Sequence, residues 1–259
     1  MGKKLIIANW KMNLNVGEAS LFVHKLTELI EPHKDVEIVI APTVLALQSV
    51  SLQAIHHHFK LAAQNFYWRD EGAFTGEVSA NQLRGLVQYG LVGHSERRHI
   101  FGEQGRDIRN KMQAAFRNGI IPVLCVGETA SERAMGETND VLHDQLIGGL
   151  SNITGEEVEQ LVIAYEPVWA IGTGNNAVPA DVEQAVKSIR SQVRHLFGVA
   201  AAKKVRVLYG GSVSVETAAS YLNAAGVDGL LVGSASLDAH AFSSIVNKAH
   251  VESTKGSKK

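Results

Sequence analysis

Short apolar runs recur along the chain at Leu5-Ile6-Ile7-Ala8, Val36 to Ala41, Leu61-Ala62-Ala63, Leu91-Val92-Gly93, Ile121 to Val126, Leu161 to Ala164, Val205 to Leu208 and Gly229 to Val232. Near-continuous runs of this length suit strands buried on both faces. The segments between them change period. Phe22, Leu26, Leu29 and Ile30 in the first connection are spaced by threes and fours, as are Val182, Val186, Ile189, Val193 and Phe197 in the sixth, which is the spacing of one helix face. Pro179, followed by Asp181 and Glu183, reads as a helix start with acids in its first turn. Val178 before it is a poor N-cap, because it has no side-chain oxygen to accept a backbone N–H.

Strand and helix therefore alternate, the pattern of a parallel sheet covered by helices. Eight such units without a linker favour an α/β fold closed into a single barrel of eight parallel strands, with an open doubly wound sheet as the alternative. No Pro, Gly or Ser-rich stretch divides the chain. One domain is expected over residues 1–252, with 253–259 a disordered tail whose lysines solubilise it.

Composition narrows the class of partner. The 259 residues are 45% hydrophobic and 20% charged, enough to bury a barrel-sized core. Lys plus Arg at 25 against Asp plus Glu at 26 leaves a net charge of −1, so nothing global attracts nucleic acid or an anionic membrane. The apolar runs fall far short of the roughly 20 residues needed to cross a bilayer, and no signal-peptide segment leads the chain. A cytoplasmic protein is expected. The single cysteine, Cys125, precludes an internal disulfide and fits a reducing compartment. His56-His57-His58 lacks carboxylate or Cys partners at ligand spacing and reads as a solvated cluster, so no metal is expected.

Polar residues gather just past the strand ends, where barrel active sites lie. Asn9 and Lys11 follow the first strand, His94, Ser95 and Glu96 the fourth, Glu166 the sixth, Tyr209-Gly210-Gly211-Ser212 the seventh, and Gly233-Ser234 the eighth. Singly each has a bland explanation: a solvated lysine, a hydrogen-bonded core histidine, a turn glycine. Their convergence on one rim points to a site. Glycine-containing turns after adjacent strands leave amides unobstructed for a phosphate. A carboxylate, an imidazole and an ammonium beside that phosphate suit proton abstraction next to a carbonyl, with Glu166 as base and His94 and Lys11 stabilising charge on oxygen. This chemistry needs no cofactor, and neither the dinucleotide pattern G-x-G-x-x-G nor the P-loop pattern occurs. Pro167 stops the sixth strand, Gly172 and Gly174 supply a flexible end, and Trp169 between them looks exposed. Together they compose a short lid.

The sequence resembles the triosephosphate isomerase family along essentially its whole length. The matching segments are Ala8-Asn9-Trp10-Lys11-Met12-Asn13, Gly76-Glu77, Gly93-His94-Ser95-Glu96-Arg97-Arg98, Ala164 to Gly174, Tyr209-Gly210-Gly211-Ser212-Val213 and Leu231-Val232-Gly233. The resemblance implies a (β/α)8 TIM barrel and an intramolecular aldose-ketose isomerase of glycolysis and gluconeogenesis. It would interconvert dihydroxyacetone phosphate and D-glyceraldehyde 3-phosphate through an enediol(ate). Carried over residue by residue, the likeness makes Glu166 the proton-shuttling base, His94 the neutral electrophile, Lys11 the electrostatic stabiliser and Asn9 a further donor. Ser95 and Glu96 become support residues. Pro167, Val168, Trp169, Ala170, Ile171, Gly172 and Thr173 become the closing lid, and the amide of Gly172 joins those of Ser212, Gly233 and Ser234 around the phosphate. The likeness also suggests an Arg190–Asp228 link, and packing is the expected job of Cys125.

The family usually has two glycines where this chain has Gly233-Ser234. If the backbone there must be left-handed, Ser234 costs about 1–2 kcal/mol. A tolerated change is expected. The long connection from Gln64 to Ser79 carries Phe66, Tyr67, Trp68 and Phe74, and could fold over its own barrel. The resemblance implies instead a two-fold homodimer, in which Thr75 reaches the partner's Asn9 and Lys11 region. Two rival functions remain: another barrel phosphate enzyme sharing only the phosphate turns, and a sugar-phosphate binder without turnover. The set of Asn9, Lys11, His94 and Glu166 argues against the first, and the retained base and lid against the second.

Overall fold

The structure is a computed structural model that describes residues 2–54, 59–172 and 175–256. Eight strands, β1 (Lys4–Asn9), β2 (Val36–Ala41), β3 (Lys60–Ala63), β4 (Tyr89–Val92), β5 (Ile121–Val126), β6 (Val162–Tyr165), β7 (Arg206–Tyr209) and β8 (Gly229–Val232), pair in sequence order and close into one barrel. Every pairing is parallel, with Lys4 opposite Val36 on one side of β1 and Leu5 opposite Gly229 on the other. The open sheet is excluded.

Strand alternation sorts the apolar residues into two compartments. Leu5 and Ile7 of β1 point inward with Val39, Ala62, Leu91, Val123, Val162, Leu208 and Leu231. Ile6 and Ala8 point outward into the larger layer between strands and helices. Both faces are therefore buried, which is why the strands are mostly apolar instead of alternating regularly with polar residues. Gly229 lets β8 seat against β1: a Cβ there would lie 1.8 Å from the Leu5 carbonyl oxygen.

The helices are α1 (Val16–Leu29), α2 (Val44–Ala54), α3 (Ala80–Leu83), α4 (Ser95–His99), α5 (Gly105–Arg117), α6 (Ala130–Ala134), α7 (Thr138–Leu150), α8 (Gly155–Val158), α9 (Pro179–Lys204), α10 (Val215–Asn223) and α11 (Ala239–Gly256). α9 starts with Pro179 at its first turn and Val178 as an N-cap that makes no side-chain bond. Its helical dihedrals break at Gly198 (φ 86°), one residue beyond the periodic run ending at Phe197. Arg190 Nη2 donates to Asp228 Oδ2 at 2.6 Å, the link the family likeness suggested.

The floor of the barrel, at the N-terminal ends of the strands, is polar. Glu37 accepts from Lys60 Nζ at 2.6 Å, Tyr89 Oη at 2.6 Å and Arg206 Nη1 at 2.7 Å. Burial would raise the Glu37 carboxyl, but these donors outweigh it and hold it at about 2.

One expectation changes. α11 runs through Ser253 to Gly256, into the segment read as a disordered tail, with Lys255 Nζ paired to Glu252 at 2.8 Å across one turn. Residues 257–259 lie outside the described residues, as do His56, His57 and His58. The aromatic loop folds partly on its own barrel. Phe66 is fully buried, and Tyr67 stacks near Phe74 with ring centroids 4.6 Å apart, while Thr75 at its tip is exposed.

Candidate active site

A cavity of about 200 Å³ opens at the C-terminal ends of the strands. Asn9, Lys11, His94, Gly172, Ser212, Gly233 and Ser234 all line it, so residues from four strand ends and the lid meet at one place. Among the expected residues with direct chemistry, only Glu166 does not line it. It sits in an adjoining compartment with Ser95, Arg98, Cys125 and Val168.

The turn after β1 presents Lys11 in a left-handed backbone conformation, φ 51°. Asn9 Oδ1 accepts the Lys11 N–H at 3.1 Å, and Gln64 Nε2 donates to the Lys11 carbonyl at 2.9 Å and to that of Ala41 at 2.8 Å. The ammonium pairs with Glu96 Oε1 at 2.5 Å.

His94 is the N-cap of α4, and its Nδ1 accepts the Glu96 N–H at 3.3 Å. With Nδ1 turned to this backbone N–H, Nε2 is the ring nitrogen that faces Glu166. Nε2 lies 3.3 Å from Glu166 Oε1.

Glu166 follows the last residue of β6, as the proline stop at Pro167 predicts, and is 1% exposed. Its Oε2 accepts the Ser95 N–H at 2.9 Å. Its Oε1 has no aligned hydrogen-bond partner among the described residues. A buried carboxylate oxygen with spare accepting capacity, facing an imidazole, is the feature expected of a base held in reserve. The thiol of Cys125 lies in the same compartment, and burial, with Glu166 adding to it, pushes that thiol well up. A neutral packing role follows for Cys125.

The first half of the segment expected to form a lid is fastened from below. Val168–Ala170 form a single 3-10 turn, and Trp169, which the sequence suggested was exposed, is only half-exposed. Its Nε1 donates to Glu128 Oε1 at 2.9 Å, and the Arg133 guanidinium lies over its ring at 4.2 Å. Glu128 is fully buried and also takes the Tyr165 hydroxyl at 3.1 Å. Burial, reinforced by this carboxylate, pushes the Tyr165 phenol up and keeps it a donor. Gly172 is exposed with φ 69°, which only a glycine adopts without strain. Thr173 lies outside the described residues.

Sequence reading passed over Glu128 and Gln64. Both follow strand ends by the same rule that singled out Glu166, and that positional signal was available in Val126-Gly127-Glu128 and Ala63-Gln64. Ser234 raises no backbone cost. The described non-glycine residues with positive φ are Lys11, Leu14 and Asn152, so Ser234 is not left-handed.

Comparison with known proteins agrees with this geometry. The family model described as triosephosphate isomerase matches residues 4–249. A triosephosphate isomerase of Trichlorobacter lovleyi is 42% identical over 247 residues, covering 95% of this chain and 98% of its own. That of Clostridium perfringens is 41% identical over 248 residues, covering 95% and 100%, and that of Alkaliphilus oremlandii 39% over 249, again 95% and 100%. A matching barrel, a matching rim and end-to-end similarity lead to one assignment: the chain belongs to the triosephosphate isomerase family.

Proposed function

We propose that the chain interconverts dihydroxyacetone phosphate and D-glyceraldehyde 3-phosphate with Glu166 as the proton carrier. Glu166 takes a proton from C1 of the ketone, and the C–H electrons pass onto the carbonyl oxygen to give an enediolate. The Nε2–H of His94 and the ammonium of Lys11 stabilise that oxygen, with Asn9 as a further donor. The O1 hydroxyl proton passes to O2, and return of the carried proton from Glu166 to C2 then yields the aldehyde at C1. Turn residues Ser212, Gly233 and Ser234, with Gly172 from the lid, hold the phosphate through their amides.

The observation that carries this reading is the contact between two compartments. Lys11, His94 and the glycine turns surround the cavity, while the unpartnered Glu166 oxygen waits 3.3 Å from His94 just outside it. Closing the lid, Pro167 to Thr173, brings the carboxylate off the Ser95 amide and over the substrate. Excluding water then protects an enediolate that can otherwise expel phosphate.

Proton exchange in deuterated water tests the assignment. The native chain should incorporate label rapidly into dihydroxyacetone phosphate, and Glu166→Gln should nearly abolish it. Equal labelling by both removes Glu166 from its role.

The protein acts as a homodimer in this reading, with Thr75 entering the partner near Asn9 and Lys11. The exposure of Thr75, Met12 (94%) and Phe74 (39%) supports this, since all lie on the loops concerned. A monomer at micromolar concentration in sedimentation would remove it. No described helix is long and apolar enough to cross a membrane, and the buried free thiol of Cys125 suits a reducing compartment such as the cytoplasm.

A further inference from the structure

The floor of the barrel carries a side-chain cluster that the isomerase chemistry does not use. His33 and Asp35 lie in the turn between α1 and β2, while Asn247 and His250 lie three residues apart on α11. The rings of His33 and His250 stack in parallel, with centroids 4.0 Å apart and 9° between planes. His250 Nδ1 is 2.8 and 3.0 Å from the two Asp35 oxygens. His33 Nε2 is 3.3 Å from Asn247 Oδ1. One donor atom from each of His33, Asp35 and His250 falls within 4.8 Å of the others.

We propose that His33, Asp35 and His250 form a site for a divalent transition metal such as Zn²⁺, which fastens α11 to the turn entering β2. Two imidazoles and one carboxylate are a donor set that Zn²⁺ accepts, and the Asn247 oxygen or a water completes four positions. With metal–donor bonds of roughly 2.0–2.2 Å, neighbouring donors around a tetrahedral ion are about 3.3 Å apart. The His250–Asp35 contacts, at 2.8 and 3.0 Å, are within that spacing, and the His33 donor lies within 4.8 Å of both. A shared ion lies in the plane of each ring that binds it, so binding requires the His33 ring to rotate out of its stack on His250.

The supports on both sides are firm. The Lys4 N–H donates to the Asp35 carbonyl at 2.9 Å, fixing the turn to β1. Ser243 Oγ donates to the Leu29 carbonyl at 3.0 Å, fixing α11 to the end of α1. The cluster is half-exposed, so an ion can enter from solvent. Without metal it is a partly exposed histidine–aspartate pair, which contributes little to stability. Local spacing gave no hint of it, because His250 and Asp35 are 215 residues apart.

The test uses the full chain with His56→Asn, His57→Asn and His58→Asn, which removes the competing histidine run. Zinc chloride is titrated calorimetrically and melting is followed in parallel. The expected result is one equivalent bound with micromolar affinity and a Tm rise of about 5 °C at a hundredfold excess over Kd. Adding His250→Gln should abolish the isotherm and the Tm rise, and Asp35→Asn should weaken binding at least tenfold. Isomerase activity without zinc stays unchanged in both, since the cluster lies at the far end of the barrel. Should His250→Gln fail to fold, Asp35→Asn and His33→Gln carry the test. No stoichiometric binding in the triple background, or binding unaffected by the added substitutions, overturns the site.

Discussion

The backbone N–H of Ser95 holds Glu166 Oε2 at 2.9 Å, in a compartment that Lys11 and Ser212 do not line. The carboxylate is thereby parked at the first residue of α4, outside the cavity it is to serve. Glu166→Gln should keep this contact, since the amide oxygen can still accept, while removing the base. We expect kcat to fall by about 10²–10⁴, the range of a lost general base, with KM little changed. Steady-state kinetics in both directions checks this.

Gly127 controls where Glu166 can sit. A Cβ at Gly127 would lie 1.8 Å from the Glu166 carbonyl oxygen, which is backbone and cannot rotate away. Gly127→Ala should therefore displace the end of β6 and lower both stability and activity, the stability by about 1–3 kcal/mol or more. Gly148→Ala meets nothing within 4 Å and should leave both intact. Equal behaviour of the two variants in thermal melts and kinetics would refute the steric argument.

Trp169→Phe removes the donor that ties the lid to Glu128 and leaves that carboxylate with one fewer partner in a buried position. A hydrogen bond to a charged group is worth about 1.5–3 kcal/mol. We expect a loss of that order in chemical denaturation, with a change in phosphate-analogue affinity because the lid's fastening is gone. Unaltered stability and affinity would show that the indole contact does not hold the lid.

Acid tolerance should depend on Glu37. Its carboxyl titrates at about 2 in the folded chain against 4.5 ordinarily, because Lys60, Tyr89 and Arg206 outweigh the burial that would raise it. A depressed carboxyl contributes stability that is fully present above the unfolded value and is lost as pH falls through the folded one. The stability gap between the native chain and Glu37→Gln should be widest above about pH 5 and close toward pH 2. Denaturation measured across that window decides it. A gap that does not shrink means Glu37 is not carrying the effect.

Cys125 should be inert in the native protein. Burial, then Glu166, pushes its thiol well up, leaving little thiolate to react. A thiol reagent should label it only after unfolding, and rapid native labelling would contradict that.

The eight strands were legible because most of their residues are buried on both faces and so write near-continuous apolar runs. Leu5, Ile6 and Ile7 are all hydrophobic although they serve two different compartments. The rim was legible by position. Glu166 stands directly after its strand, and His94 and Ser212 follow theirs by two and three residues, at the rim where the strands end. Which compartment a rim side chain enters was not legible, because it depends on the Ser95 amide, 71 residues from Glu166 in sequence. Trp169 misled for a similar reason: its partner Glu128 is 41 residues away and brings a ring that looked exposed down onto the core.

Lys11 shows what the rim demands of its own chain. At φ 51° a lysine gives up about 1–2 kcal/mol that glycine would not, and glycine there would have no charge to offer. Gln64, by gripping the Lys11 carbonyl, keeps the strained turn from relaxing. The positive pole of the pocket is thus a loaded spring with its catch in the loop after β3, and a lapse at Gln64 should be felt first as a misplaced ammonium, well before the barrel itself gives way.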